Sequence, residues 1–262
     1  MAVLRTWEWF IENFEHISKI DLTYYKRPQM ERRISSFMRS IDIHDYEEFI
    51  RVLKKDKEIL DRFILHITIN VSEFFRNNNH WQKLADDIIP DLIKQNSRIK
   101  IWSAGCSTGE EAYSLAILAM EKNLPLDGKI LATDIDRGVL EKADNGLYSK
   151  KAVENVPAAY LKKYFTQQGD FYRINDEIKK MVSFQRQDLL RDKFDKGFDL
   201  ILCRNVVIYF TEESKNLLYK KFADAMRANG ILFIGSTEQI FQARELGLTS
   251  VAIFFYQKQQ DR

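Results

Sequence analysis

The sequence predicts an α/β protein carrying an all-helical lobe at its N-terminus and a small antiparallel β insertion. Three observations predict it. Residues 99–119 read as strand, glycine loop and helix; strand-then-helix order returns beyond Lys129; and from Thr6 to about Arg98 the pattern is helical with no convincing strand. The expected boundaries are 1–80 for the helical lobe, 81–98 for a linker helix and 99–262 for the α/β domain, with the insertion at about 148–180.

Composition narrows the function. A chain of 262 residues with 45% hydrophobic content can build one full core and a smaller lobe. Lys and Arg total 40 against 38 acidic residues, so a net charge of +2 supplies no general drive toward nucleic acid, and none is expected as a partner. The N-terminal stretch MAVLRTWEWF lacks the basic-then-apolar order of a signal peptide, and no apolar run approaches the roughly 18 residues of a membrane span. The expectation is a cytoplasmic protein without membrane insertion. Two cysteines, Cys106 and Cys203, and four histidines without ligand spacing predict reduced thiols and no metal.

In the helical lobe, a helix begins near Pro28 with Met30, Ile34, Phe37 and Ile41 as its apolar stripe. Arg32 and Arg39 fall on the opposite face and Arg33 at its edge, which reads either as a solvated face or as a docking surface for an acidic partner. Helices at Glu47–Leu53 and Lys57–Ile69 follow. The helix period stops at Asn70 in TINVSEFFRNNNHW, where Thr68, Asn70, Ser72 and Arg76 surround Phe74 and Phe75 and supply more hydrogen-bonding groups than a linker needs. A helix over Trp81–Ile93 leads into the next domain.

Ile99, Ile101 and Trp102 form the first strand, Gly105–Gly109 breaks it, and Ala112, Leu115, Ala116 and Ala119 share one face of the helix beyond. Such a unit places a ligand at the carboxyl end of the strand, where Gly105 lets the backbone approach and the helix N-terminus exposes N–H groups. Glu110 and Glu111 suit the helix dipole and would repel a pyrophosphate. A ribose joined to a sulfonium, as in S-adenosylmethionine, fits better. The second strand ends at Asp134, about 25 residues past the loop, where an acid can accept both ribose hydroxyls. Asp136 is better placed to cap the helix from Arg137 to Ala143.

Between Tyr148 and Lys180 the alternation stops, and FYRIN, bounded by Gly169-Asp170 and Asn175-Asp176, reads as one arm of a hairpin. Order resumes with MVSFQRQDLL, FDLILCRNVVIYF, a helix from Glu212 to Arg227, the strand GILFIGSTE, a short helix and SVAIFFYQK. Val207–Phe210 is read as the end of the fourth main strand and its exit loop. Tyr209 is the hydroxyl-bearing aromatic of that loop, suited to a site at the strand's carboxyl end or to the core.

Four separated strings, TINVSEFFRN, WSAGCSTGEEAYSLAI, ATDID and CRNVVIYF, followed by GSTEQIF, resemble the chemotaxis receptor methyltransferases, the CheR family, over essentially the whole chain. The resemblance implies a class I S-adenosylmethionine-dependent methyltransferase fold, Rossmann-like, with a mainly parallel seven-stranded sheet. It implies methyl transfer to glutamate side chains in the cytoplasmic helical region of chemoreceptors, leaving S-adenosylhomocysteine. By motif, Asn70, Ser72 and Arg76 match the family's cofactor and active-site segment, Glu111 the acid of the glycine loop, and Asp134 the ribose acid. Asn205 and Val206 match adenosine-side contacts, and Tyr209 the tyrosine near the transferred methyl. The arginine-rich helix is implicated in receptor binding in such enzymes, which favours Arg32, Arg33 and Arg39 as substrate-binding residues.

Three departures stand out. Ala112 replaces a proline common in the family; Asp188, before Leu189 and Leu190 at the expected adenine contact, replaces an asparagine; and the loop at Gln167–Phe171 is short. Members that tether to a receptor's C-terminal peptide tend to have a longer loop there, so no dependence on a tether is expected.

A glutamate side chain, with a pKa of about 4.3, is already ionised at neutral pH and needs no general base. It needs desolvation and alignment, which can contribute on the order of 7–11 kcal/mol. Arg76 and Tyr209 are the candidates for holding it, the arginine through a planar fork suited to carboxylates. Two rival readings are a nucleic-acid methyltransferase, disfavoured because CRNVVIYF lacks an N-P-P-Y pattern, and a non-catalytic receptor-binding module, which transfer of labelled methyl would exclude.

Overall fold

The computed structural model describes residues 5–68 and 70–260. The chain forms two compact units, one running up to Asn70 and including Tyr209–Asn216, the other made of Val71–Ile208 and the chain from Leu217 onward. The division therefore lies at residue 70, ten residues before the expected end of the lobe.

The first unit holds α1 (Trp7–Ser18), α2 (Arg27–Ser40), α3 (Tyr46–Lys55) and α4 (Lys57–Thr68). Thr6 caps α1 by accepting the Trp9 N–H at 3.2 Å, Asp45 caps α3 by accepting the Glu48 N–H at 2.8 Å, and Pro28 occupies the first turn of α2. The core is a phenylalanine cluster: Phe49 meets Phe63 edge-on at 4.8 Å, and Phe37 lies 5.1 Å from Phe63. From α2, Met30, Ile34, Phe37 and Met38 enter it, while Arg32 and Arg39 stay exposed. The Tyr209–Asn216 segment joins this unit through the backbone: the Tyr209 carbonyl accepts the Lys26 N–H at 2.9 Å, and Thr211 donates to the Tyr24 carbonyl at 3.0 Å.

The second unit opens with α5 (Asn78–Lys83), a π-turn over Leu84–Ile88 and α6 (Ile89–Gln95). Its main sheet contains β1 (Ile101–Ala104), β2 (Ile130–Asp134), β6 (Val182–Arg186), β7 (Phe198–Cys203), β8 (Met226–Ile234), β9 (Leu248–Ala252) and β10 (Phe255–Lys258), in the order β6-β2-β1-β7-β8-β10-β9. Pairings from β6 through β8 are parallel, and β10 runs antiparallel to both neighbours. Every residue of β7 is buried, as expected of a central parallel strand. Helices α7 (Glu110–Glu121), α8 (Arg137–Asn145) and α11 (Glu212–Ala225) follow β1, β2 and β7. The insertion is a second sheet in the order β3-β5-β4, with β3 (Leu147–Ser149), β4 (Phe165–Gln168) and β5 (Phe171–Ile174), accompanied by α9 (Ala158–Tyr164) and α10 (Asp176–Lys179).

The seven-stranded class I architecture is thus present, and three local expectations change. The helix read to Arg227 ends at Ala225, because β8 begins at Met226. SVAIFFYQK is a hairpin, with Phe254 at φ 68° in its turn; no glycine or asparagine announces that left-handed residue. The strand expected to continue to Phe210 stops at Cys203, since Asn205 turns left-handed at φ 60° and Val207–Tyr209 form a 3-10 turn. Among the described residues no helix is long and apolar enough to cross a membrane.

Candidate functional site

The chain leaves β1 for β2 and β6 on one side and returns to β7 on the other, so the carboxyl ends of β1 and β7 flank a topological switch point, where such sheets bind ligands. Gly105 leaves β1 at φ 79°, and its N–H and that of Cys106 both donate to the Thr133 carbonyl, at 2.8 and 2.9 Å. A Cβ on Gly105 would overlap the Val206 methyl, so glycine is needed where the β1 and β7 exits meet.

The two acids that open α7 have different surroundings. Glu110 is buried and accepts the Thr108 hydroxyl on both oxygens, at 2.8 and 2.7 Å, with the Ser72 hydroxyl as a further donor. Burial raises its pKa against those donors. Ser72 therefore ties the polar segment after α4 to the glycine loop. Glu111 faces the sheet: Oε1 accepts the Ser103 hydroxyl at 2.8 Å, and Oε2 lies 3.5 Å from Arg204 Nη1. Burial raises the Glu111 pKa, and the charge of Arg204 works most strongly against it, followed by the Ser103 hydroxyl.

Arg204, which sequence reasoning missed, joins three of the strings. Its side chain is 3% exposed, and Nη2 donates to the Arg76 carbonyl at 2.8 Å and to Asn77 Oδ1 at 3.1 Å. The guanidinium also lies over Phe233, 4.6 Å from the ring centre. An arginine at the end of a run as apolar as FDLILC was the available signal. Phe75, left-handed at φ 50°, donates its N–H to Ser114 Oγ at 3.0 Å, and Asn77 is left-handed at φ 62°, so the Arg76 backbone is held on both sides. The Arg76 guanidinium is only partly buried, bonds the Val71 carbonyl at 3.3 Å and lies close enough to lower the Glu111 pKa.

Asp136 caps α8, accepting the Gly138 N–H at 2.8 Å. Asp134 is nevertheless not left free: Oδ2 accepts the Ser107 N–H at 2.8 Å and Oδ1 the Asp136 N–H at 3.1 Å. The Ile135 N–H also favours the charged carboxylate, and the acceptor capacity that remains suits the hydroxyls of a vicinal diol. Burial pushes the Asp134 pKa up to about 6 against those N–H donors. A folded pKa above the ordinary carboxylate value means that the folded chain holds a proton which the unfolded chain has already lost. This group's stabilising contribution is therefore present at low pH and is lost as pH rises toward about 6. Diol binding runs the other way, because it requires the ionised form. Affinity for S-adenosylhomocysteine should fall by up to about tenfold per pH unit below about 6, and titrations between pH 7.5 and 5 would measure it.

Past β6, Asp188 is buried and its Oδ1 accepts the N–H groups of Leu190 and Arg191, at 2.9 and 3.3 Å. Lys221 closes the same turn by donating to the Leu189 and Asp192 carbonyls, at 2.6 and 2.8 Å. Leu189 itself is buried. Asn205 and Val206 stand at the β7 exit, with Val206 against Gly105. The structure thus gathers Ser72, Arg76, Gly105, Glu111, Asp134, Asp188, Leu189, Asn205 and Val206 within the second unit.

Asn70, Tyr209, Arg32, Arg33 and Arg39 belong to the first unit. There Asn70 Nδ2 donates to Thr68 Oγ1 at 2.8 Å. Arg33 differs from its neighbours: it is half-buried, donates through Nε to the His66 carbonyl at 3.1 Å and through Nη2 to the same oxygen, and burial lowers its pKa.

Buried carboxylates at the ends of β1, β2 and β6, with a glycine between them, suit hydroxyl donors and a cation and are unsuited to a diphosphate. This donor set fits S-adenosylmethionine. Among the described residues, no group of three or more His, Cys, Asp or Glu side chains could hold a metal ion.

Comparison with known proteins agrees with this arrangement. The family model for the CheR methyltransferase SAM binding domain matches residues 70–255, and that for the CheR methyltransferase all-alpha domain matches residues 5–68. The chain is 46% identical over 241 residues to the chemotaxis protein methyltransferase of Listeria innocua, covering 91% of this chain and 92% of that protein. Identity to the chemotaxis protein methyltransferase of Borreliella burgdorferi is 39% over 240 residues, covering 84% of this chain and 83% of that one. With the Escherichia coli protein of the same name it is 31% over 229 residues, covering 84% and 79%.

Proposed function

The chain belongs to the CheR methyltransferase family, and from that premise we propose how its residues methylate chemoreceptor glutamates with S-adenosylmethionine. It is an S-adenosylmethionine-dependent methyltransferase acting on receptor carboxylates. The observation that carries the division of labour is the Arg204 guanidinium, which joins the Arg76 backbone and Asn77, 128 and 127 residues away, to Glu111, 93 residues away.

When bound, S-adenosylmethionine supplies a methyl group on a cationic sulfonium. Asp134 would accept the ribose hydroxyls, Glu111, Ser72 and Arg76 would hold the methionine end, and Gly105 would give the approach; Asn70 is assigned to the cofactor by family motif alone. Asp188, Leu189, Asn205 and Val206 hold the adenosine. Arg76 orients the substrate carboxylate, which is already ionised and attacks without a base; Tyr209 is assigned to the substrate by family motif alone. A single off-axis hydrogen bond from Arg76 preserves nucleophilicity better than a bidentate grip. The product ester is neutral, so the arginine's attraction for the substrate is lost on methylation, which favours product release.

The helical unit docks the acidic helical region of the receptor through Arg32 and Arg39, whose exposed side chains support the assignment. Arg33 contributes from a more constrained position, since the His66 carbonyl holds its fork. Charge reversal at Arg32 and Arg39 together should raise the KM for a receptor fragment by about tenfold or more, as each surface pair is worth up to about 1 kcal/mol and reversal adds repulsion, while S-adenosylhomocysteine affinity stays unchanged. Steady-state kinetics with calorimetry checks both halves. The turn between β4 and β5 holds only Gly169 and Asp170, which supports action without a receptor tether. A receptor fragment lacking its C-terminal peptide should then be methylated as fast as one retaining it. Labelled cofactor mixed with the protein and the fragment should leave base-labile label on the fragment and none where its glutamates are replaced by glutamine.

A further inference from the structure

Glu238 lies in the GSTE segment after β8 and is buried, 6% exposed, although no step above uses it. Its Oε2 accepts the Gly235 N–H at 2.6 Å, and Oε1 is buried with no hydrogen-bond partner among the described residues. Burial raises its pKa, while the nearby N–H groups of Asn205 and Val207 favour the charged carboxylate. The two loops are in direct contact: a Cβ on Gly235 would stand 2.6 Å from the Asn205 nitrogen and 2.8 Å from Glu238 Oε2. At the β7 exit, Asn205 is left-handed at φ 60°, a conformation that a residue with a side chain keeps only where its surroundings favour it. That turn leaves the N–H groups of Asn205 and Val207 outside any strand ladder, Val207 being buried, so an acceptor nearby favours the turn. The Glu238 carboxylate is the negative group beside those N–H groups, fixed by Gly235 against the Asn205 backbone, and Arg204 is the cation that favours its charged form.

We propose that Glu238 is a positioning residue for the cofactor: its carboxylate holds the Asn205–Val207 turn in the one conformation that presents Asn205 and Val206. The inference rests on the assignment of Asn205 and Val206 as cofactor contacts made above. A glutamine would keep one acceptor oxygen and turn an NH2 toward backbone donors, so the turn would lose part of its anchor while the side-chain volume is kept.

The test compares Glu238→Gln, Gly235→Ala, Asn205→Ala and the double variant Glu238→Gln/Asn205→Ala with the wild type, titrating S-adenosylhomocysteine and measuring KM for S-adenosylmethionine and for a receptor fragment. Glu238→Gln and Gly235→Ala should each weaken S-adenosylhomocysteine by about tenfold or more, the scale of a lost charged hydrogen bond. KM for S-adenosylmethionine should rise in step while KM for the fragment stays put. The double variant should bind no more weakly than its weaker single parent, because both changes remove the same presentation. Gly235→Ala wedges the same loops apart without touching the carboxylate, and reads the inference if Glu238→Gln does not fold. Wild-type affinity in whichever of the two folds, or losses from Glu238 and Asn205 that simply add, would overturn it. Failure of the wild type itself to bind S-adenosylhomocysteine would instead remove the cofactor assignment.

Discussion

Arg76→Ala is expected to lower kcat for receptor methylation by about 100-fold or more, the scale seen when a group that orients or stabilises the reacting atoms is removed. The fold should survive, and the reason is local. Arg204 grips the Arg76 backbone carbonyl and the Asn77 side chain, and Trp81 donates its indole N–H to the same carbonyl at 3.1 Å. None of these contacts uses the Arg76 side chain. The guanidinium's own hydrogen bond, to the Val71 carbonyl, is long at 3.3 Å. Thermal unfolding should therefore shift little while transfer of label collapses. A variant that keeps near-normal turnover would take Arg76 out of the mechanism. Arg76→Lys, which keeps charge and loses the planar fork, should recover only part of the rate.

Arg204→Met should act on stability first. The side chain is 3% exposed and its Glu111 partner 12%, so removing the guanidinium leaves a buried carboxylate whose pKa burial already raises. Breaking one side of a buried pair costs about 3–5 kcal/mol, and the Arg76 carbonyl and Asn77 Oδ1 lose a donor as well. The linkage has a sign that can be checked. With Arg204 gone, Glu111 should titrate higher, so the folded variant holds its proton to higher pH than the unfolded chain does. The stability deficit should then be smallest at low pH, where Glu111 is neutral, and grow as pH rises past its ordinary range. Denaturant unfolding of variant and wild type at pH 5 and pH 8 reads this directly. Arg204→Met/Glu111→Gln should recover much of the loss, since the orphaned charge is gone. A deficit independent of pH would mean that Arg204 acts through packing against Phe233 alone.

The parts of the fold legible in the sequence were those where local chemistry and tertiary need coincide. Gly105 and Gly109 sit where the backbone is left-handed and crowded, Asp136 caps the helix that it precedes, and Gly169-Asp170 makes the turn of a two-residue hairpin. Each residue type carries its own reason. Residues serving a distant partner were not legible. Arg204 and Glu238 are charges buried for the sake of chain segments elsewhere in sequence, and no periodicity marks them. The hairpin turn at Phe254 was missed for a related reason: tertiary packing imposes a left-handed conformation that the residue does not prefer. The helical unit ends at Asn70 and not near residue 80 because Phe74 and Phe75 are buried in the core of the α/β unit. Of the candidate site, Asp134 and Glu111 were visible as acids at strand and helix ends. Their hydrogen-bond partners were not.

Calorimetric titration of S-adenosylhomocysteine into the folded wild-type chain and into Asp134→Ala tests the cradle of buried acids most directly. One saturable site is predicted for the wild type, with affinity weakened by at least about tenfold in the variant, where the acceptor of two hydroxyls is lost. Absence of heat with a properly folded wild type, or equal affinity in the two proteins, would contradict the account.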